Sequence, residues 1–218
     1  MKENEALQKA VQDAIRWEPL LSAAEIDVIA KDGVVTLSGI VDSFAKKQEA
    51  ENAAKMVSGV KVVVENIDIN FGGWLERGDT EIAGEVLNAF KWNSQFPHDK
   101  VKITVEHGWV TLGGKLTWNY QREAASKLVS SLLGVTGVTN SIVIETASAR
   151  EVEQVEIENA LGRNWAIDNK RIKVKVSGNN VTLHGKVHSF YQKDEAGRIA
   201  WKAPGVCSVD NALVIEYN

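Results

Sequence analysis

The residues of this 218-residue chain best suited to chemistry are cations set two apart. Arg171, Lys173 and Lys175 alternate with Ile172, Val174 and Val176, and His184, Lys186 and His188 then keep the same spacing. Residues two apart on a strand share a face, so on paired strands these groups converge on one surface. Such a surface attracts anions. Beside an anionic bilayer each basic group is worth about 1 kcal/mol, screened beyond about a Debye length. Charging of the two histidines at low pH strengthens the attraction. The same pattern also suits a plain solvated face, since the open side of an antiparallel sheet is normally polar. His184 and His188 stand too far apart on a strand to share a metal ion, and no acidic third ligand accompanies them.

A second set pairs rings with cations. Phe44 precedes Lys46 and Lys47, Trp118 and Tyr120 precede Arg122, and Phe190 and Tyr191 precede Lys193. Rings among headgroups with cations on phosphates suit an interfacial contact. A hydrophobic staple closing a helix onto its own sheet uses the same rings. Catalysis has little footing: the chain has no Gly-rich phosphate loop, no Ser-His-Asp set on a nucleophile elbow and no metal cluster. Glu151, Glu153, Glu156 and Glu158 form the kind of charge run that keeps a helix solvated. No enzymatic activity and no cofactor are expected. The single Cys207 rules out an internal disulfide and a Cys-based zinc site, and it suits a small buried hydrophobe.

The totals narrow the partners. The net charge is −4, with 44% hydrophobic and 25% charged residues, the balance of an ordinary soluble globular protein. Residues 1–70 carry 8 basic against 12 acidic groups, residues 71–149 carry 7 against 8, and residues 150–218 carry 10 against 9. Without a basic excess, nucleic acid is not an expected partner. No apolar run approaches the roughly 18 residues of a membrane-spanning helix. Met1 to Glu5 lack a signal peptide's basic start and apolar middle. The expected compartment is therefore cytoplasmic for the chain as it stands, or periplasmic for a trimmed mature form.

The elements that must position these residues come in threes. Val35-Thr36-Leu37-Ser38-Gly39 returns as Val110-Thr111-Leu112-Gly113-Gly114 and as Val181-Thr182-Leu183-His184-Gly185. The same distance beyond each final glycine lies a Gly-Val pair, at Gly59, Gly134 and Gly205, and beyond that a strand-like run ending at Ile69, Ile144 and Ile215. One unit repeated three times fits small tandem domains, here 1–70, 76–145 and 150–218. Units this small bury a modest core. Apolar spacing gives first helices over Glu5–Trp17, Thr80–Trp92 and Glu151–Trp165, with Trp17, Leu87 and Trp92 inward. Hairpins follow at Asp32-Gly33, His107-Gly108 and Gly178-Asn179. Second helices span Phe44–Val57, Gln121–Leu133 and a segment ending near Lys202, with Ser43 and Ser189 as N-caps. Third strands cover Val60–Ile69, Val138–Ile144 and Val209–Ile215. The linkers are Asn70–Leu75, where Phe71 and Trp74 should dock, and Thr146–Ala149. Alternation turns Ile29, Val34, Ile40 and Trp109 away from their own cores, so these open faces are expected to pack between domains.

The ordered set V-T-L-x-G-x-V, an alanine-rich helix with basic residues, G-V and an Asn before the last strand resembles the BON domain, named for bacterial OsmY and nodulation proteins. The first copy shows it as Val35–Val41, Lys46-Lys47, Ala50, Ala53-Ala54, Gly59-Val60 and Asn66. The second shows Val110–Leu116, Arg122, Ala124-Ala125, Gly134-Val135 and Asn140, and the third Val181–Val187, Lys193, Ala196, Ala200, Gly205-Val206 and Asn211. Two departures stand out: Trp118 replaces the serine of the other copies, and Asn66 comes one position late. The resemblance implies an α+β fold of three tandem αββαβ domains, each a three-stranded mixed sheet with two helices on one face. It also implies a transport-associated, non-enzymatic role in the bacterial envelope or in osmotic-stress protection, with attachment to phospholipid membranes. With the cations and rings above, the expected activity is peripheral attachment to anionic phospholipid through weak sites that reinforce one another by effective concentration. The alternative is a protein-interaction scaffold that docks partners on its open sheet faces.

Overall fold

The computed structural model describes residues 2–21, 26–72, 77–93, 97–145 and 152–216, so Trp74, Glu151 and the 146–149 linker lie outside the described residues. The first unit runs α1 (Lys2–Trp17), β1 (Ile26–Lys31), β2 (Val34–Val41), α2 (Phe44–Lys55) and β3 (Val62–Ile69). The second runs α3 (Asp79–Trp92), β4 (Val101–Glu106), β5 (Trp109–Leu116), α4 (Asn119–Ser130), β6 (Gly137–Asn140) and β7 (Val143–Ile144). The third runs α5 (Gln154–Gly162), β8 (Ile172–Ser177), β9 (Asn180–Val187), α6 (Phe190–Trp201) and β10 (Ser208–Ile215). This is the expected α+β architecture in three tandem copies. In each sheet the second strand is central, antiparallel to the first and parallel to the last. The tight hairpins explain the antiparallel pairs, and each second helix is the crossover that a parallel pair needs.

The repeated V-T-L-x-G stretch is the central strand. Its Val and Leu are buried in all three units: Val35 and Leu37, Val110 and Leu112, Val181 and Leu183. Its glycine has φ 147 at Gly39, 115 at Gly114 and 126 at Gly185, a region that side chains disfavour. A Cβ at Gly114 would collide with the Lys100 carbonyl oxygen, and one at Gly185 with that of Arg171. The central strand thus crosses the start of the first strand too closely for any side chain.

The asparagine of the pattern ties the third strand to the second helix. Asn140 Nδ2 donates to the Arg122 carbonyl at 2.8 Å, and Asn211 Nδ2 to that of Lys193 at 2.7 Å. In the first unit this register belongs to Glu65, which explains why Asn66 comes late. Glu65 accepts the Ile67 N–H at 2.8 Å and pairs at 3.1 Å with Lys47, which itself donates to the Ile67 carbonyl at 2.7 Å. In the second unit Asn140 Oδ1 accepts the Ile142 N–H, and there the expected continuous strand breaks into β6 and β7.

Several side chains depart from expectation. Trp17 and Trp92 are each 88% exposed rather than in a core, and Leu87 is exposed too. The core positions of α1 are Val11 and Ile15, and those of α3 are Ile82, Val86 and Phe90. Each tryptophan follows the last of these by two residues, roughly 200° around the helix. Helix α5 is shorter than expected at both ends, and Trp165 is exposed beyond it. Ser189 caps α6 by accepting the Gln192 N–H at 3.2 Å, but the Ser43 hydroxyl bonds Asp42 instead. Cys207 is only half-buried.

Two predictions follow from backbone geometry. Gly185→Ala should cost about 3 kcal/mol, from a left-handed φ and the Arg171 collision, with chemical denaturation as the check. Asp79 accepts the N–H groups of Gly108 at 2.8 Å and His107 at 2.9 Å, clamping α3 to its hairpin as Asn4 does at Asp32. Those donors, Gly108 first, hold its carboxyl below the ordinary 3.8. A depressed folded value means that the clamp stabilises fully above that ordinary value and is lost as pH falls through the folded one. The melting temperature of Asp79→Asn should therefore trail the parent at neutral pH and converge with it in strong acid.

Candidate anion-binding surfaces

Antiparallel pairing of β8 and β9 sets Lys173 opposite His184 and Lys175 opposite Thr182. Lys173, Lys175, His184 and Lys186 are all exposed on the side away from Val174, Val181 and Leu183. The expected convergence on one sheet face is present in the structure, but acids share it. Glu216 bonds Lys186 at 2.6 Å and Arg171 at 3.5 Å, and Asp168 lies 3.6 Å from Arg171. His188 Nε2 stands 3.4 Å from the Arg171 guanidinium. The Lys186 hydrogen bond, aided by the charges of Arg171 and His188, holds the Glu216 carboxyl below its ordinary value. Among the described residues no ion pair engages Lys173 or Lys175. The open part of the surface is thus Lys173, Lys175 and His184.

The ring-and-cation set at the second helices does not form a second such surface. Lys46 pairs with Asp42 at 2.8 Å, and Lys47 is taken by Glu65. Phe44 packs on the core of the second unit and Phe190 on the core of the first. Neither ring staples its helix to its own sheet. Arg122 lies over the Trp201 ring, 4.3 Å from its centre, where burial lowers the guanidinium pKa. Trp201 packs on the cores of both the second and third units. Trp118, Tyr120 and Tyr191 stay exposed, while Lys193 is half-buried.

Together these contacts close a ring. The start of α2 reaches the second unit, the start of α4 meets the end of α6, and the start of α6 reaches the first unit. Asp194 of α6 also lies within electrostatic reach of Lys55 of α2. Asn119 holds the position taken by Phe44 and Phe190, and there the neighbour supplies the large ring, Trp201, across a groove of about 200 Å³. Sequence reasoning expected docking through the open sheet faces, and the structure corrects this. Ile29 is 61% exposed, Ile40 57% and Trp109 49%. Trp109 lies against Gly137 of its own sheet and donates from Nε1 to Thr139 at 2.9 Å. The available signal was the aromatic at each second-helix start, with its exchange for Asn119.

Among the described residues no His, Cys, Asp and Glu group could hold a metal, and no helix is long and apolar enough to cross a membrane. A profile of the BON domain matches residues 3–70, 78–146 and 154–217. The chain is 27% identical to the osmotically-inducible protein Y of Escherichia coli over 146 residues, 64% of this chain and 72% of that protein. It is 30% identical to a 21 kDa hemolysin of Actinobacillus pleuropneumoniae over 127 residues, 56% of this chain and 64% of that protein. A solved structure of CdsD, a structural protein of the type III secretion system of Chlamydia trachomatis, aligns over 98% of this chain and 93% of its own, at 16% identity and a TM-score of 0.26. That score is too low to bear on fold or partner.

The ring gives a test. Phe44→Ala removes a side chain of the first unit, yet hydrogen exchange should show the larger loss, about 1–2 kcal/mol, in the β5 amides of the second unit. This is below the cost for a fully buried Phe because the ring is half-buried. Equal or greater loosening of β2 would contradict the contact.

Proposed function

The chain belongs to the BON domain family, and from that premise we propose that it attaches peripherally to anionic phospholipid membranes in the bacterial envelope, in a non-enzymatic role linked to osmotic stress. The link to osmotic stress is supported by the name of its relative, osmotically-inducible protein Y. The observation that carries attachment is the outward face of the third sheet, where Lys173, Lys175 and His184 lie exposed beside the partly neutralised Arg171 and Lys186. A flat array of cations on a rigid sheet suits a flat anionic surface. Trp118, Tyr120 and Tyr191 are rings free to enter an interface, while Phe44 and Phe190 are committed to neighbouring domains. On this reading attachment rests mainly on the face of the third sheet, where the exposed cations cluster.

One observation favours a second reading, the protein scaffold. The outward face of the first sheet is apolar, with Ile29, Val34, Ile40, Val62 and Val64 exposed together. Ionic strength separates the two readings, since a Debye length of about 8 Å at physiological salt screens cations but not apolar docking.

Co-sedimentation with vesicles of phosphatidylcholine, with and without phosphatidylglycerol, is the test. Attachment should need the anionic lipid and fade with salt. The exposed double variant Lys173→Glu with Lys175→Glu should lower it at least tenfold, since each lost cation removes about 1 kcal/mol and each added carboxylate repels. Attachment to neutral vesicles alike, or indifference to salt, would overturn the reading.

A further inference from the structure

The outward face of the second sheet holds a depression of about 610 Å³ lined by Lys100, Lys102, Lys115, Thr117 and Ser141, with Val143 in its bed. We propose that this depression is a phosphate-binding site and that the third domain carries a second copy of it. The inference rests on the reading of the third domain's face as anion-seeking, and extends it to a domain whose net charge gives no hint of it.

Moving 71 positions along the chain takes Lys100, Lys102 and Lys115 to Arg171, Lys173 and Lys186. The same step takes Val143 to Val214 and Glu145 to Glu216. Every cation maps onto a cation. The ion pair recurs as well, at 2.5 Å for Lys115–Glu145 and 2.6 Å for Lys186–Glu216. The fold does not require these residues. Moving back 75 positions to the first domain, which has the same sheet, replaces Lys102, Lys115 and Val143 by Asp27, Ile40 and Asp68. One domain of three thus has an acidic and apolar surface where the other two have cations.

The arrangement suits a phosphate ester. In the second domain three ammonium groups against one carboxylate leave two positive charges, which match a phosphate dianion and exceed the single charge of a diester. The carboxylate fixes one lysine at the rim. The Thr117 and Ser141 hydroxyls add donors that reach phosphate oxygens without charge, and His188 stands in the Thr117 position of the third domain. Exposed Val143 and Val214 provide apolar beds beside each cluster. The ester can come from a lipid headgroup or from a free phosphate compound.

Amide NMR of the isotopically labelled full chain tests this, titrated with inorganic phosphate and, separately, with monomeric dihexanoylphosphatidylglycerol. The Gly114 and Ser141 signals and the Gly185 and Ala212 signals should shift along saturating curves while Gly39 and Asn66 stay still. Saturation by inorganic phosphate identifies a free phosphate site, and saturation by the lipid alone a headgroup site. Lys102→Glu should abolish the second domain's shifts and leave those of the third, and Lys173→Glu the reverse. Shifts spread equally over all three domains, or surviving these substitutions, would overturn the proposal. Vesicle attachment by the parent chain without saturating shifts at these amides sinks this site but leaves membrane attachment standing. Saturating phosphate shifts without vesicle attachment do the opposite.

Discussion

A three-stranded sheet with two short helices has too little material to cover itself, and the architecture follows from that shortage. Each unit buries the inner face of its sheet under its own helices. Rings at the ends of the second helices then reach a neighbouring core: Phe44 and Trp201 pack on that of the second unit, and Phe190 on that of the first. Small domains gain from such docking because the fraction of surface they bury alone is low. The helical side of every sheet is thereby spent on cohesion, and the opposite side is left for partners.

That division explains how one fold carries three different surfaces. The inner face is constrained by the core, by the glycine crossing at Gly114 and Gly185, and by the asparagine tie at Asn140 and Asn211. The outer face answers to none of these. It is apolar in the first domain, mixed around Trp109 in the second, and cationic in the third. Repetition with a fixed interior makes the outer residues directly comparable, position by position, within a single chain.

Most of the fold was legible because it is written in local terms. Alternation in the central strand, glycines at the turns and the spacing of the three copies each reflect backbone geometry that acts over a few residues. The cationic face of the third sheet was legible for the same reason. Other features depended on partners distant in sequence. Trp17 and Trp92 looked like core because they end apolar helices, yet two residues of rotation put them in solvent. The partner of Arg122 lies on another domain, and the acids that hold Lys115 and Lys186, Glu145 and Glu216, follow the last strands, far in sequence from those lysines. The break between β6 and β7 falls where Asn140 takes the Ile142 N–H, a contact that periodicity does not register.

The closed ring has a thermodynamic consequence. Domains strung in a line can unfold from either end, each terminal unit giving up a single interface. Here the third domain docks on the first through Phe190, so no unit is terminal. Opening any one of them breaks two interfaces at once and leaves the remaining pair with one. The free-energy gap between the native state and a partly unfolded species widens accordingly. A chain that looks modular in sequence should melt as one cooperative body.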